Sequence, residues 1–103
     1  MNNLTQDEWS NLLGNTPNAV TLDVRTELEV EEGKIPGAIN IDIYDTQNFV
    51  NELKQMDKKQ HYFVYCKAGG RSAQACAVMQ QMGFEHTHNL EGGFSHWTGE
   101  VEL

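Results

Sequence analysis

The chain has 103 residues, a length that suits one compact domain over residues 1–103. Its formal net charge is -8, from 15 acidic side chains against 7 Lys and Arg, so its surface repels nucleic acid and anionic membranes. Two cysteines, Cys66 and Cys76, are too few for a disulfide scaffold and fit a reducing compartment. No signal peptide or long apolar run is present, so we expect a cytoplasmic protein. The acidic charge also leads us to expect neither nucleic acid nor membrane as a partner.

Segments with helical periodicity alternate along the chain with short apolar runs. The helical segments are residues 4–14, 26–34, 45–56 and 71–83, and a turn leads into a short helix within 92–99. The strand candidates are residues 19–24, 35–42 (after a turn), 61–66 and 87–90. Thr5 and Asp45 are the expected N-caps of the first and third helices, and the strand at 61–66 is apolar on both faces, which is typical of a central strand.

This alternation predicts an α/β fold with three layers, in which helices flank a central, mostly parallel sheet. Ligands of such sheets bind beyond the carboxyl ends of the strands. Cys66 ends one predicted strand, and Asp23 and Arg25 lie at the end of another. We therefore expect these three residues to face one pocket.

The segment "CKAGGRS", residues 66–72, joins a strand to a helix. Gly69 and Gly70 can take positive φ, and the N–H groups of such a bend converge on an anion at a helix N-terminus. A thiolate in that position is stabilised, so the pKa of Cys66 should fall below its ordinary value. Arg71 adds a guanidinium that can bind two oxygens at once. The alternative is that Cys66 is only a small hydrophobic side chain at a buried strand end.

The loop is short for an anion-binding cysteine loop. Cys66 and Arg71 are spaced as C-x4-R, whereas cysteine phosphatases need C-x5-R to wrap a tetrahedral phosphate. A tighter loop suits a single extra atom on the thiolate, which argues against a phosphatase or an arsenate reductase. The predicted site is Cys66 as the nucleophile with an anion-binding loop made of Lys67, Ala68, Gly69, Gly70, Arg71 and Ser72.

Three stretches resemble one known family, the single-domain rhodaneses, which are sulfurtransferases. They are "LDVRTELEVEEGKIPGAINI" (22–41), "VYCKAGGRSAQACAVMQQMGF" (64–84) and "NLEGGFSHW" (89–97), in the family's order. The resemblance implies a five-stranded parallel sheet flanked by helices and a Cys66 that becomes a persulfide. It also implies that Arg71 closes the active-site loop and that Asp23 and Arg25 match the strand end near the pocket.

The chain departs from the family pattern at three positions. Lys67 stands where the family often has Arg, Gly70 where it often has a basic or polar residue, and Lys34 where it usually has His. Fewer guanidinium groups near Cys66 argue against tight binding of thiosulfate. They leave the persulfide chemistry itself unaffected.

The resemblance implies transfer of a sulfane sulfur from a donor such as thiosulfate to a thiol or cyanide, by ping-pong chemistry with no metal and no organic cofactor. The expected partners are a small sulfur-containing anion or persulfide donor, and a protein or low-molecular-weight thiol acceptor. We expect a monomer or a weak dimer. One alternative is a persulfide carrier or redox-partner module of a sulfur relay with little small-molecule turnover. Another is a silent regulatory domain, which the presence of Cys66 and Arg71 disfavours.

Other reactive side chains have structural interpretations. Cys76 lies beside the apolar stripe of its helix, so we expect a buried residue and not a resolving thiol. Asp23 and Arg25 favour structural roles, with Arg25 paired to Glu27 or Glu29.

The histidines and the C-terminal aromatics also suggest packing and not chemistry. No metal site is expected, because the histidines have no Cys or carboxylate at ligand spacing, although two of them share one strand face; they are His61, His86, His88 and His96. In "GGFSHW" we expect a turn whose aromatic residues, Phe94 and Trp97, pack in the core.

Overall fold

A five-stranded sheet runs through the molecule, and the computed structural model describes all 103 residues. The strands are β1 (Asn2–Leu4), β2 (Val20–Asp23), β3 (Ile39–Asn40), β4 (His61–Tyr65) and β5 (His86–Leu90). They lie in the order β1-β5-β4-β2-β3, and each pairing is parallel. This topology confirms the predicted α/β fold with a parallel sheet.

Helices cover both faces of the sheet. They are α1 (Gln6–Gly14), α2 (Glu27–Glu31), α3 (Thr46–Lys54) and α4 (Gly70–Gln81), followed by a 3₁₀ turn at Phe94–His96. None of these helices has both the length and the apolar character that a transmembrane segment requires.

The core consists of two apolar clusters, one on each face of the sheet. The larger contains residues of α3 and α4, including Phe49, Leu53 and Met79, and the smaller contains Trp9 of α1. Residues of β4 alternate between the two clusters, with Tyr62 and Val64 in the larger and Phe63 and Tyr65 in the smaller. Because β4 also pairs with β2 and β5, the predicted central strand is confirmed.

The edge strand β1 is the element that local sequence patterns did not predict. Its three residues pair with β5, and Asn2 lies opposite His88 and Leu4 opposite Leu90. The segment is too short and too polar to show a strand pattern of its own. Its conformation depends on an open edge of β5, which no local pattern reveals.

Capping boxes begin both α1 and α2. Thr5 accepts a hydrogen bond from the Glu8 N–H at 3.3 Å, and the Glu8 carboxylate accepts one from the Thr5 N–H at 3.0 Å. Thr26 and Glu29 repeat this arrangement at the start of α2, so the Glu29 side chain is held in a defined position. Thr5 and Asp45 are confirmed as the N-caps of α1 and α3.

Three histidines stack at the amino-terminal ends of β4 and β5. The His61 ring lies 4.0 Å from the His86 ring and 5.2 Å from the His88 ring. His88 is buried, and its Nε2 is 3.0 Å from Nδ1 of His61 while its Nδ1 is 3.0 Å from the Asn2 amide nitrogen. Burial and the neighbouring imidazoles lower the pKa of His88 to about 4. His86 and His88 share one strand face, as predicted.

Truncation of a core leucine should cost far more stability than truncation of an exposed one. Leu53 in α3 is fully buried, and Leu53→Ala should lower the free energy of unfolding by about 2–5 kcal/mol. Leu28 in α2 is 75% exposed, and Leu28→Ala should change it by less than about 0.5 kcal/mol. Equilibrium unfolding in urea measures both, and equal losses for the two variants would contradict this description of the core.

His88 should make the protein less stable in mild acid. Its folded pKa of about 4 lies below the ordinary 6.5, so the unfolded chain binds the extra proton between these pH values. The free energy of unfolding should therefore be highest above pH 6.5 and fall as the pH drops towards 4. His88→Gln should flatten this decline in urea titrations, while His96→Gln, at an exposed position, should keep it. A wild-type slope in the His88→Gln protein would show that other groups cause the decline.

Candidate active site

Cys66 lies directly after β4, at the carboxyl end of the sheet. Tyr65 of β4 pairs with Asp23 of β2, so the ends of these two strands are adjacent. The structure thus brings Cys66, Asp23 and Arg25 to one edge of the sheet, but they do not line one pocket, because Arg25 lines a cavity there whereas Cys66 and Asp23 line none. Cys66 is 1% exposed, and it is a free thiol.

The sulfur of Cys66 is held by donors from the loop and from the first turn of α4. The Gly69 N–H donates to Sγ at 3.0 Å, and the Ser72 hydroxyl lies 3.3 Å from Sγ and 3.1 Å from the Gly69 carbonyl, so its one hydrogen is shared between these two acceptors. Gly69 has a φ of +108° and is the N-cap of α4. Of the two glycines that can take positive φ, only Gly69 does so, and Gly70 is already helical, because one left-handed residue is enough to turn the loop into the helix.

This environment lowers the pKa of Cys66. Burial raises the pKa, because it disfavours the charged thiolate. Hydrogen bonds from the Ser72 hydroxyl and from backbone N–H groups of Ser72, Gly69 and Ala68 oppose burial and outweigh it. The shift has the predicted direction, so the loop favours a thiolate. Cys76, by contrast, is fully buried in α4, and burial raises its pKa to about 11, in agreement with a packing role.

The segment 92–95 supports the cysteine loop through its backbone. The Phe94 N–H donates to the Cys66 carbonyl at 2.9 Å, and the Ser95 N–H donates to the Lys67 carbonyl at 2.9 Å. Gly93 has a φ of +60°, and a Cβ there would lie 2.5 Å from the Lys67 oxygen. Only glycine fits this close approach, so "GGF" in the sequence is part of the site's scaffold.

That supporting role was not predicted from the sequence. Phe94 and Trp97 are partly buried and pack against the cluster that contains Trp9, so the expected packing is confirmed. The adjacent glycines of "NLEGGFSHW" were the available clue, because paired glycines mark a tight backbone approach.

Asp23 and Arg25 form a buried ion pair, which corrects the expected partner of Arg25. Its guanidinium binds both Asp23 oxygens, with the shortest contact at 2.7 Å, and not the carboxylate of Glu27 or Glu29. The Tyr65 hydroxyl donates to Asp23 at 2.6 Å. Asp23 is the last residue of β2 and lies two residues before Arg25, so it is the nearer partner. Both residues are buried, and Arg25 also lines a cavity beside the cysteine loop.

Arg71 forms its own ion pair at the start of α4. It donates to both carboxylate oxygens of Glu29, at 2.7 Å and 2.9 Å. The hydrogen bond from Arg71 is the main reason that the pKa of Glu29 falls to about 2, and this bond raises the pKa of Arg71 in turn. Both side chains are partly exposed, so the pair lies at the rim of the site.

Two cavities border the cysteine loop. One, of about 160 Å³, is lined by Arg25, Glu29, Glu32, Lys67, Phe94 and Ser95. The other, of about 280 Å³, is lined in part by Ala68, Gly69 and Asn89. Arg25 lines the first cavity, and its guanidinium lies 4.4 Å from the centre of the Phe94 ring. Asp23 lines neither cavity. Lys34 also lines neither cavity, and its ammonium group donates a hydrogen bond to the Ala38 carbonyl at 3.1 Å.

Removal of the Ser72 hydroxyl should raise the pKa of Cys66. Ser72→Ala deletes one donor to Sγ from a fully buried position and changes the packing little. The pH midpoint for alkylation by iodoacetamide should move upward, and the rate at neutral pH should fall. The control is Ser95→Ala, which removes the hydroxyl of a cavity residue that does not contact Sγ. An unchanged midpoint in Ser72→Ala would contradict the role of this hydroxyl.

Comparisons with known proteins agree with this geometry. The family model described as a rhodanese-like domain matches residues 5–100. A sulfurtransferase of Allochromatium vinosum is 31% identical over 97 residues, which cover 94% of this chain and 88% of that protein. A putative sulfur carrier protein of Bacillus subtilis, YrkF, is 35% identical over 81 residues, covering 79% of this chain and 42% of that protein.

The solved structures agree with the sequence comparison. A crystal structure of a rhodanese-like domain protein from Staphylococcus aureus has a TM-score of 0.84 and 31% identity, and the alignment covers 100% of this chain and 98% of that one. The fold, the cysteine loop at the carboxyl end of β4 and the family match over nearly the whole length lead to one assignment. This chain belongs to the rhodanese-like domain family.

Proposed function

We propose that the protein transfers a sulfane sulfur through a persulfide on Cys66, from a donor such as thiosulfate to a thiol or cyanide. The family and its sulfurtransferase relative support sulfur transfer in general. The observation that supports the persulfide is the environment of Sγ. Its hydrogen-bond donors favour the thiolate, which is the nucleophilic form.

The first half-reaction loads the enzyme. The Cys66 thiolate attacks the outer sulfur of thiosulfate, a new S–S bond forms on Sγ, and the donor's S–S bond breaks. Sulfite leaves with the electron pair of that bond. The N–H groups of the C-x4-R loop then face a persulfide, which is smaller than a phosphate group and suits the short loop.

The second half-reaction unloads it. Cyanide or a thiolate attacks the outer sulfur of the persulfide, and the electron pair of the S–S bond returns to Sγ. Cyanide leaves as thiocyanate, and a thiol acceptor leaves as a new persulfide. The donors that stabilise the Cys66 thiolate as a nucleophile also stabilise it as the leaving group here, because a thiol of lower pKa leaves faster.

The cycle uses neither a metal nor an organic cofactor, since the only covalent changes occur at sulfur. It requires Cys66 in the reduced state, which a reducing compartment such as the cytoplasm maintains. No step needs a second protomer, which is consistent with a monomer or a weak dimer.

A second candidate is a carrier module that receives sulfur from another protein. The relative named as a putative sulfur carrier favours it, as does a Cys66 that is only 1% exposed and therefore hard for solutes to reach. The net charge of -8 would steer a basic donor or acceptor protein towards the chain. The two candidates share the Cys66 persulfide and differ in its source.

Replacement of the nucleophile should abolish sulfur transfer. After incubation with thiosulfate, the intact mass of the wild-type protein should increase by one sulfur atom, which peptide mapping places on Cys66 and cyanide removes as thiocyanate. Cys66→Ser should neither gain sulfur nor form thiocyanate while it unfolds with a normal urea midpoint. Cys76→Ala should behave like the wild type, since Cys76 lies buried in α4.

The outcomes separate the candidates. Thiocyanate formed at the wild-type rate by Cys66→Ser would refute the assignment of the nucleophile. Slow loading from thiosulfate together with fast loading from a persulfidated protein would favour the carrier module.

A further inference from the structure

The ion pair between Arg71 and Glu29 is held in position from both sides. The Glu29 carboxylate also accepts hydrogen bonds from the Thr26 N–H and hydroxyl, both at 3.1 Å, because Glu29 is the N3 residue of the capping box of α2. The Arg71 guanidinium lies 5.2 Å from the centre of the Tyr44 ring. Charge-assisted, bidentate geometry makes this a specific contact, even though it lies at the rim of the site.

In this ion pair, the guanidinium of Arg71 in the cysteine loop is already bound by a carboxylate of the protein itself. A guanidinium at the end of an anion-binding loop is suited to bind two oxygens of an anionic donor. Here both terminal nitrogens of Arg71 already donate to Glu29. A donor with several anionic oxygens would have to compete with a preorganised carboxylate.

The charges around the adjacent cavity also fail to attract a dianion. Its lining contains the cations Arg25 and Lys67 and the carboxylates Glu29 and Glu32. The charge of Arg25 is balanced by buried Asp23. Lys67 and Arg71 are therefore offset by Glu29 and Glu32, and a doubly charged donor such as thiosulfate meets no net positive charge.

We propose that Glu29 is a specificity-determining residue, whose carboxylate holds Arg71 and makes the site select sulfane donors of low charge over dianionic thiosulfate. The preferred class is organic thiosulfonates and hydropersulfides, whose sulfur is transferred without an inorganic dianion in the site. This inference rests on the proposed sulfur transfer and specifies its donor class.

Thiosulfate and methanethiosulfonate form a matched pair of probes, because they differ by one negative charge. With methanethiosulfonate, the Cys66 thiolate attacks the outer sulfur, the S–S bond to the sulfonyl sulfur breaks, and methanesulfinate leaves with the electron pair. With thiosulfate, the same bonds form and break, and sulfite leaves. The ratio of kcat/KM for the two donors therefore reports on charge selection at the site.

Glu29→Gln is the decisive variant. Glutamine keeps an oxygen that can accept from Thr26, so the start of α2 is preserved while the negative charge that holds Arg71 is lost. The kcat/KM ratio of thiosulfate to methanethiosulfonate should rise by about tenfold or more, the size expected for one charge-assisted contact. Sulfite, as the dianionic product, should also inhibit this variant more strongly than the wild type.

Two further variants separate the ion pair from general charge effects. Glu32→Gln removes a carboxylate of the same cavity that is exposed and forms no ion pair, and it should change the ratio much less. The double variant Glu29→Gln, Arg71→Gln should lose the gain, because the released guanidinium is then absent.

Each outcome decides the proposal. An unchanged ratio in Glu29→Gln, an equal rise in Glu32→Gln, or a gain that persists in the double variant would overturn the role of Glu29 while sulfur transfer stands. If neither donor loads sulfur onto Cys66 in any of these proteins, the proposed function fails, and the specificity role fails with it.

Discussion

The hydrogen bonds to the sulfur of Cys66 are the contacts on which the rest of the site depends. They require that the chain turn from β4 into α4 within a few residues, which the left-handed conformation of Gly69 allows. The same turn brings Ser72 of the first helical turn over the sulfur. Burial alone would keep the thiol protonated, so the local hydrogen bonds determine its reactivity.

The loop keeps this shape because other segments hold it. The segment that follows β5 donates two backbone hydrogen bonds to the carbonyls of Cys66 and Lys67, and Gly93 permits the approach. Apolar packing also holds the start of the loop, because Cys66 itself belongs to the core cluster under α3 and α4. A parallel sheet suits this arrangement, because it collects strand ends from distant parts of the chain at one edge.

Two arginine–carboxylate pairs near the site have different roles. The pair of Asp23 and Arg25 is buried and satisfied by Tyr65, so it fixes the end of β2 beside β4. The pair of Glu29 and Arg71 lies at the rim and is partly exposed. A partly exposed pair at the rim contributes little to stability, whereas breaking a buried pair in the core strongly destabilises the fold.

The sequence by itself determined the α/β class, the central strand β4 and the position of Cys66 at the end of that strand, because these follow from local periodicity and from motifs contiguous in the chain. It also indicated that Cys76 packs in a helix. Only the tertiary structure decided the edge strand β1, the support from Gly93 and the partners of Arg25 and Arg71. Each of these depends on contacts between residues far apart in sequence, or on a choice among several nearby carboxylates, and that choice is made by the distances and burial that the folded chain imposes.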